Sequence, residues 1–280
     1  MRLVSFDAFR TCRLPNAHYI KPDHSSRSLE LIKAADWCLF PEYWQVNTLV
    51  FGLNKRIFPS LPSYLLGHNK IEFSRVMTTL WPQHIPQTFI LDNSPQARED
   101  ILAVMDFPFV CKTPKSSEGR GVFLIENRAD FMRYCDTHPV LYVQEYLPID
   151  RDCRIVVIGE AVVASYWRVA GEGNFHNNIA QGGSLCFDPV PQRAIDLVLE
   201  VAKTLGIDHA GFDVAMVGGH PYIFEFNRLF GNHGLTVQGI DPSSNILQWL
   251  EANSLPDQTP PKTPEMATGK RRKMRPLRAA

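Results

Sequence analysis

Between His209 and Gly234 the chain reads HAGFDVAMVGGHPYIFEFNRLFGNHG, and this stretch restricts the fold more than any other. Two strand-type runs, Ala210–Met216 and Tyr222–Asn227, flank a Gly/Pro loop of hairpin length, Val217–Pro221. Closure about Gly219 sets Asp213 opposite Glu225 and Gly211 opposite Asn227, with facing Cβ atoms about 5 Å apart. Strand alternation then places Asp213, Glu225 and Asn227 on one face. The opposite face carries Phe212, Val214 and Met216 against Phe226, Phe224 and Tyr222, which makes it core. Adjacent carboxylates repel unless a cation or a shared proton sits between them. Two carboxylates and an amide oxygen are hard ligands that suit Mg²⁺, an ion that keeps several waters and bridges to phosphates. A solvated hairpin face carrying two chance acids is the alternative at this level.

Length and composition set the frame for that ribbon. A chain of 280 residues, 45% apolar and 21% charged, has an ordinary globular composition and length for about two domains. Its formal charge is zero but uneven. Residues 251–280 carry seven Lys/Arg and three Asp/Glu, which leaves 22 basic against 26 acidic residues in the body. An acidic body argues against broad nucleic-acid binding by the folded part. The Pro-rich, basic segment 253–280, with Lys270–Arg275, reads as a disordered tail, the one place where nucleic acid or an acidic surface could bind. Cys12, Cys38, Cys111, Cys135, Cys153 and Cys186 are scattered with no C-x-x-C, so neither a zinc site nor a disulfide framework is expected. No apolar run reaches membrane-spanning length, and Met1–Arg10 lacks the apolar stretch of a signal peptide. The expected setting is the cytoplasm.

Upstream, strand runs at Arg2–Phe6, Asp36–Phe40 and Arg56–Phe58 alternate with helical spacing at Leu29–Ala35, behind Ser25, Ser26 and Ser28 as capping candidates. This predicts a small α/β domain over residues 1–67. Arg10, Arg13, His18 and Lys21 form either a polar loop or contacts for an anionic substrate. Trp37, Phe40, Tyr43 and Trp44 read as core or interface. Lys70–Leu80 is a helix, apolar at Ile71, Phe73, Val76, Met77 and Leu80. Pro108–Lys112 is a short strand, and Thr113–Gly121 a Ser/Gly loop of the kind whose amides close over phosphates. It lacks Walker A spacing. Val140–Leu147 is a buried strand, and Ile155–Ile158 with Val162–Trp167 a hairpin about Gly159-Glu160. Pro191–Leu205 is an amphipathic helix stopped by Gly206. Residues 235–251 read as a last helix, with Asp241-Pro242 as a break or an N-cap.

Asp213, then Glu225-Phe226-Asn227 with Gly231 and Gly234, resembles the metal-binding end of ATP-grasp carboxylate–amine ligases, particularly the RimK-like branch. Arg228-Leu229-Phe230-Gly231 replaces the usual small-Pro-Gly turn. The likeness extends upstream to Lys70 at a helix start, Lys112 before the Gly-rich loop, Gln144-Glu145, Asp152-Cys153-Arg154, Arg168, and the run from Gly173 to Asn178 and Gly183. It covers residues 68–235 well and the first 67 in outline. It implies an ATP-grasp fold, α/β (α+β) in class, over residues 68–252. The nucleotide would lie between two α+β subdomains, 68–143 and 144–252.

The resemblance also implies the site. Lys70, Lys112, Ser116, Ser117, Gly119, Gly121, Gln144, Glu145, Tyr146, Leu147, Asp152 and His176 would bind ATP, His176 standing where relatives often carry arginine. Arg154, Arg168 and Asn178 would meet the substrate, with Arg168 and Lys112 catalytic. Asp213, Glu225 and Asn227 would hold Mg²⁺, two ions or Mn²⁺ in its place. The implied reaction joins a small-molecule or peptide carboxylate to an amine such as an amino acid, through an acyl phosphate. Homo-oligomers are compatible with it. An ATP-grasp kinase acting on a hydroxyl, or a non-catalytic nucleotide-binding partner protein, are the alternatives.

Overall fold

A computed structural model of the chain describes residues 1–115, 121–171 and 183–254. The expectations for Ser116, Ser117, Gly119, His176, Asn178 and the tail beyond Ser254 lie outside these residues.

The first unit comprises β1 (Leu3–Ser5), α1 (Ala8–Thr11), β2 (Ala17–Tyr19), α2 (Leu29–Ala34), β3 (Trp37–Leu39), α3 (Tyr43–Asn47), β4 (Arg56–Phe58) and α4 (Leu61–Leu66). Its strands form a parallel sheet in the order β2-β1-β3-β4. Short polar residues set the helix starts, as their acceptor side chains can satisfy orphan N–H groups: Asp7 accepts from Phe9 and Arg10 N, and Ser60 from Ser63 N. Ser28 takes the N-cap position of α2 without a side-chain bond, so the serine-rich run caps by position only.

Next come α5 (Lys70–Leu80), β5 (Thr88–Asp92), α6 (Pro95–Val104), β6 (Phe109–Lys112), β7 (Val122–Ile125), α7 (Arg128–Thr137) and β8 (Val140–Glu145). Here the sheet is antiparallel, β5-β8-β6-β7. Its own core includes Ile101, Phe109, Phe131 and Leu141. The last unit holds β9 (Arg151–Ile158), β10 (Ala161–Val169), β11 (Ser184–Cys186), α8 (Gln192–Leu205), β12 (His209–Val217), β13 (His220–Asn227), α9 (His233–Val237) and α10 (Pro242–Ala252). Its sheet is antiparallel in the order β11-β10-β9-β12-β13. Asp241 both breaks the last helical stretch and caps α10, accepting from Ser243 N.

Strand β9 shows how the units join. Cys153, Ile155 and Val157 point into a core closed by α5 and α8, whereas Val156 and Ile158 pack on the other face with Leu39 and Phe58 of the first sheet. A strand buried on both faces reads as one continuous apolar run. Its polar start, Asp152 and Arg154, therefore lies on the face shared with the first unit, just beyond that second core.

The organising hairpin closes differently from the symmetric expectation. Gly211↔Asn227, Phe212↔Phe226 and Asp213↔Glu225 pair as expected, but the register then shifts to Val214↔Ile223 and Val217↔His220. The loop is the two-residue Gly218-Gly219, at φ 55° and 78°, where both residues occupy the left-handed region a tight hairpin favours. A one-residue bulge at Phe224 reconciles this short turn with the register at the acids. It also corrects the core face: Ile223 is buried with Phe212, Val214 and Phe226, whereas Met216, Tyr222 and Phe224 are only half-buried.

Candidate functional site

One row across the third sheet builds the site. Tyr166 pairs with Arg154, Arg154 with Asp213, and Asp213 with Glu225, while Arg168 sits one step along opposite Asp152. Strand register thus stacks ionisable groups that are far apart in sequence. Arg154 donates to Asp213 through Nε at 2.6 Å and Nη2 at 3.3 Å. Arg168 donates to both oxygens of Asp152 at 2.7 and 2.8 Å and reaches Asp213 Oδ2 at 3.0 Å. Gly211 makes room for this: a Cβ there would lie 2.9 Å from both Arg154 Nη1 and Phe230 Cβ. Burial pushes the Asp213 carboxyl up, but Arg154 and Arg168 outweigh it and hold it below the usual carboxylate range. Burial likewise opposes the Arg168 charge, and Asp213 and Asp152 more than restore it. Such a network is strongly coupled, so removing one member leaves a buried charge uncompensated.

Two lysines complete the face. Lys112, at the end of β6 and 7% exposed, donates from Nζ to Gln144 Oε1 at 2.6 Å, and Gln144 Nε2 donates to Thr88 Oγ1 at 2.8 Å. Lys112 Nζ also lies 5.4 Å from the Phe224 ring centroid, so the bulge brings an apolar wall beside it. Burial pulls the Lys112 amine down to about 8, aided by Lys70 and opposed by Glu225 and Asp213. Lys70 pairs with Glu225 Oε2 at 2.9 Å, and Asn227 Nδ2 donates to Glu225 Oε1 at 3.4 Å. At the helix start, Asn69 accepts from Ile71 N and so offsets the cost of a cation near an N-terminus.

The structure gathers Lys70, Lys112, Gln144, Asp152, Arg154, Arg168, Asp213, Glu225 and Asn227 onto this one face. Asp152, expected at the nucleotide, spends both oxygens on Arg168, and Arg154, expected at the substrate, holds Asp213. Glu145 accepts from Gln87 N through Oε1, while its own N–H donates to Gln87 O. Tyr146 and Leu147 follow half-buried. Gly121 accepts from Thr113 N at 2.7 Å, which pins the two ends of the Gly-rich loop. Of the basic residues near β1, Arg10 donates to Phe230 O at 3.1 Å and stays close to Asp7, whereas Arg13 pairs with Asp241 at the exposed rim. Sequence reasoning put Phe224 in the core and did not foresee its place beside Lys112, which only the Gly-Gly turn could have signalled, nor the bond of Thr88 to Gln144.

Glu225, Asn227 and Asp213 supply two carboxylates and an amide. Among the described residues no group of three or more His, Cys, Asp or Glu could hold a metal ion by itself. Glu225 and Asn227 suit a hard cation that takes further ligands from a bound phosphate and water, whereas both oxygens of Asp213 are held by Arg154 and Arg168. No helix among the described residues is long and apolar enough to cross a membrane.

The family model for the RimK-like ATP-grasp domain matches residues 68–250. A ribosomal protein bS6–L-glutamate ligase of Salmonella newport is 31% identical over 175 residues, which cover 59% of this chain and 58% of that protein. The chain thus spans about three fifths of the length of the curated relatives it matches. The fold resembles a RimK-domain ATP-grasp protein from Sphaerobacter thermophilus (TM-score 0.67, 15% identity, 89% of this chain and 99% of that one). It also resembles a D-alanine–D-alanine ligase from Bacillus anthracis (TM-score 0.65, 16% identity, 85% and 86%).

Proposed function

The chain belongs to the RimK-like ATP-grasp family, and from that premise we propose that it is an ATP-dependent ligase joining a carboxylate to an amine. ATP would phosphorylate the acid, the amine would attack the acyl phosphate, and an amide, ADP and phosphate would leave. The acid is a small molecule or peptide and the amine one such as an amino acid; the setting is the cytoplasm. The single observation that carries the reading is Lys112, a buried cation hydrogen-bonded to a neutral amide. The carboxylates that act on it, Glu225 and Asp213, are already engaged by Lys70, Arg154 and Arg168. A desolvated ammonium so placed gains from a bound anion such as a phosphate.

Catalysis of this kind is positioning and charge neutralisation. Lys112, held by Gln144, and Lys70 would bind phosphate oxygens. Arg168, aligned by Asp152, would face the charge that develops on the transferring phosphoryl group, and Arg154 keeps Asp213 ionised. Glu225, Asn227 and Asp213 would hold Mg²⁺, which when bound neutralises phosphate charge. Lys70 must then exchange its bond to Glu225 for one to phosphate, and Asp213 must release an oxygen from Arg154 or Arg168 to reach the ion. The test is ADP release from the purified chain with pools of amino acids and peptides, followed by mass spectrometry. An amide product that requires both acid and amine supports the reading. A phosphorylated hydroxyl product would replace it with a kinase. Glu225→Ala should abolish turnover while the protein stays folded, since the apolar face is untouched.

A further inference from the structure

The chain leaves β13 at Asn227, where the ladder with β12 ends on the rung Gly211↔Asn227. That rung offers Asn227 no side chain to pack against, and its amide reaches Glu225 only at 3.4 Å. The next residues, Arg228-Leu229-Phe230-Gly231, turn with no proline to fix their backbone. A turn outside the ladder is held by whatever its carbonyls meet, and here side chains meet two of them. His209 donates from Nδ1 to Arg228 O at 2.6 Å, and Arg10 from Nη2 to Phe230 O at 3.1 Å. His209 opens β12, just beyond the last rung. Its imidazole is 2% exposed and boxed by aromatic rings. Phe230 stacks on it at 4.7 Å and 20°, while Phe40 and Phe58 of the first unit meet it edge-on at 5.3 Å. Burial pulls the ring down to about 3, although the Arg228 carbonyl works against it. A neutral imidazole carries one proton, and a carbonyl can only accept, so that proton sits on Nδ1. Packing alone would be met by phenylalanine. What the imidazole adds is one donor, spent on the carbonyl of the residue that follows Asn227.

We propose that His209 is a positioning residue for the cation site: its Nδ1–H fixes the Arg228 carbonyl and so aims the Asn227 side chain, with Glu225, at the ion. This role deepens the ligase reading and rests on it. Asn227 is pinned on both sides, by the ladder before it and by the His209 bond after it. Groups that orient a ligand from behind tune the ion's affinity nearly as much as the ligand does. Arg10, Phe40 and Phe58 belong to the first unit, and the Arg228 guanidinium lies 4.7 Å over the ring of Tyr64 in that same unit. The aim of Asn227 therefore depends on the first unit staying docked against the turn.

The test is calorimetric binding of a non-hydrolysable ATP analogue to the full chain at a series of free Mg²⁺ concentrations. Its readout is the Mg²⁺ concentration that gives half of the maximal gain in affinity. His209→Phe keeps a ring in the box and removes the donor. It should raise that concentration about fivefold or more, below the roughly 10–100-fold typical of groups that hold a ligand directly. Analogue affinity in EDTA should stay within about twofold of wild type. His209→Asn loses the ring but puts an amide N–H near the Nδ1 position, and should bring the Mg²⁺ requirement back to within about twofold of wild type. Packing alone predicts the opposite order, since asparagine leaves the larger void among the three phenylalanines. Equal Mg²⁺ requirements in wild type and His209→Phe overturn the proposal, as does a requirement in His209→Asn no lower than in His209→Phe. An equal loss of affinity with and without Mg²⁺ assigns His209 to packing and overturns it too. If His209→Phe does not fold, Arg10→Met, which removes the other donor to the turn, carries the test. A severalfold higher Mg²⁺ requirement there supports the role, and an unchanged one overturns it. A wild-type chain that binds no analogue with or without Mg²⁺ overturns the ligase reading, and this role with it.

Discussion

Replacing Lys112 by Met while varying pH tests how burial tunes the proposed phosphate site. The amine falls from 10.5 to about 8 because burial disfavours its charge. At 1.36 kcal/mol per pH unit, that gap corresponds to about 3 kcal/mol of penalty on the charged form. The sign follows from proton counting. Between pH 8 and 10.5 the unfolded chain holds a proton that the folded chain has lost, so the nucleotide-free protein gains stability as pH rises through that window. Nucleotide binding has the opposite dependence, because phosphate requires the ammonium. If ATP restores the ordinary value, its Kd should be about tenfold weaker at pH 9 than at pH 7. A terminal phosphate with its last pKa at about 6 contributes little over the same range. Fluorescence or calorimetric titration of a non-hydrolysable analogue at fixed Mg²⁺ reads this directly. Lys112→Met should bind weakly at every pH and lose the slope. A wild-type Kd constant within about twofold from pH 7 to 9, or the same slope in Lys112→Met, would refute the reasoning.

Three further outcomes are expected. Arg168→Lys should cut turnover by roughly 10³, the lower end for an arginine serving transferred phosphate, because lysine cannot fork across both oxygens of Asp152. Affinity for an ATP analogue should change little, and retention of more than about a tenth of the turnover would remove Arg168 from the chemistry. Burial pushes Asp208 up to about 6 despite bonds from Ser60 N at 2.7 Å and Ser63 Oγ at 3.3 Å. The folded state therefore holds the extra proton between pH 4 and 6, and stability should fall by about 3 kcal/mol as pH rises through that window. Asp208→Asn should flatten this dependence in urea unfolding, and a slope identical to wild type would contradict it. Gly234→Ala would place a Cβ 2.3 Å from Tyr166 Cζ. It should cost about 1–3 kcal/mol of stability although alanine favours an open helix position by about 1 kcal/mol, so a stabilised variant would show that Tyr166 yields freely.

Much of the site was legible because local rules reach it. Alternation about a Gly-rich turn was enough to set Asp213 opposite Glu225 and to put both opposite Phe212 and Phe226, and the ladder keeps that register. The helix at Lys70–Leu80 and the Gly206 stop of α8 follow from apolar spacing and from a left-handed C-terminal residue at φ 68°. The bulge at Phe224 was hidden because alternation is blind to a single inserted residue. Only the preference of Gly218-Gly219 for a two-residue turn, competing with the register at the acids, forces it.

The partners of those charges belong to another level. Periodicity tells a residue which face it takes, but not which strand lies beside it. That Asp213 meets Arg154 and Arg168 depends on the strand order β10-β9-β12-β13, and that Glu225 meets Lys70 depends on α5 packing against β13. The joint between the units is likewise built from long-range pairs, Ser60 with Asp208 and Arg10 with Phe230 O. By itself the sequence determined the elements and the acid pair, because these rest on the short-range preferences of the backbone and on side-chain alternation. The tertiary structure alone decided which cation neutralises which carboxylate. Those energies depend on burial and distance between residues brought together only when the sheets and helices pack.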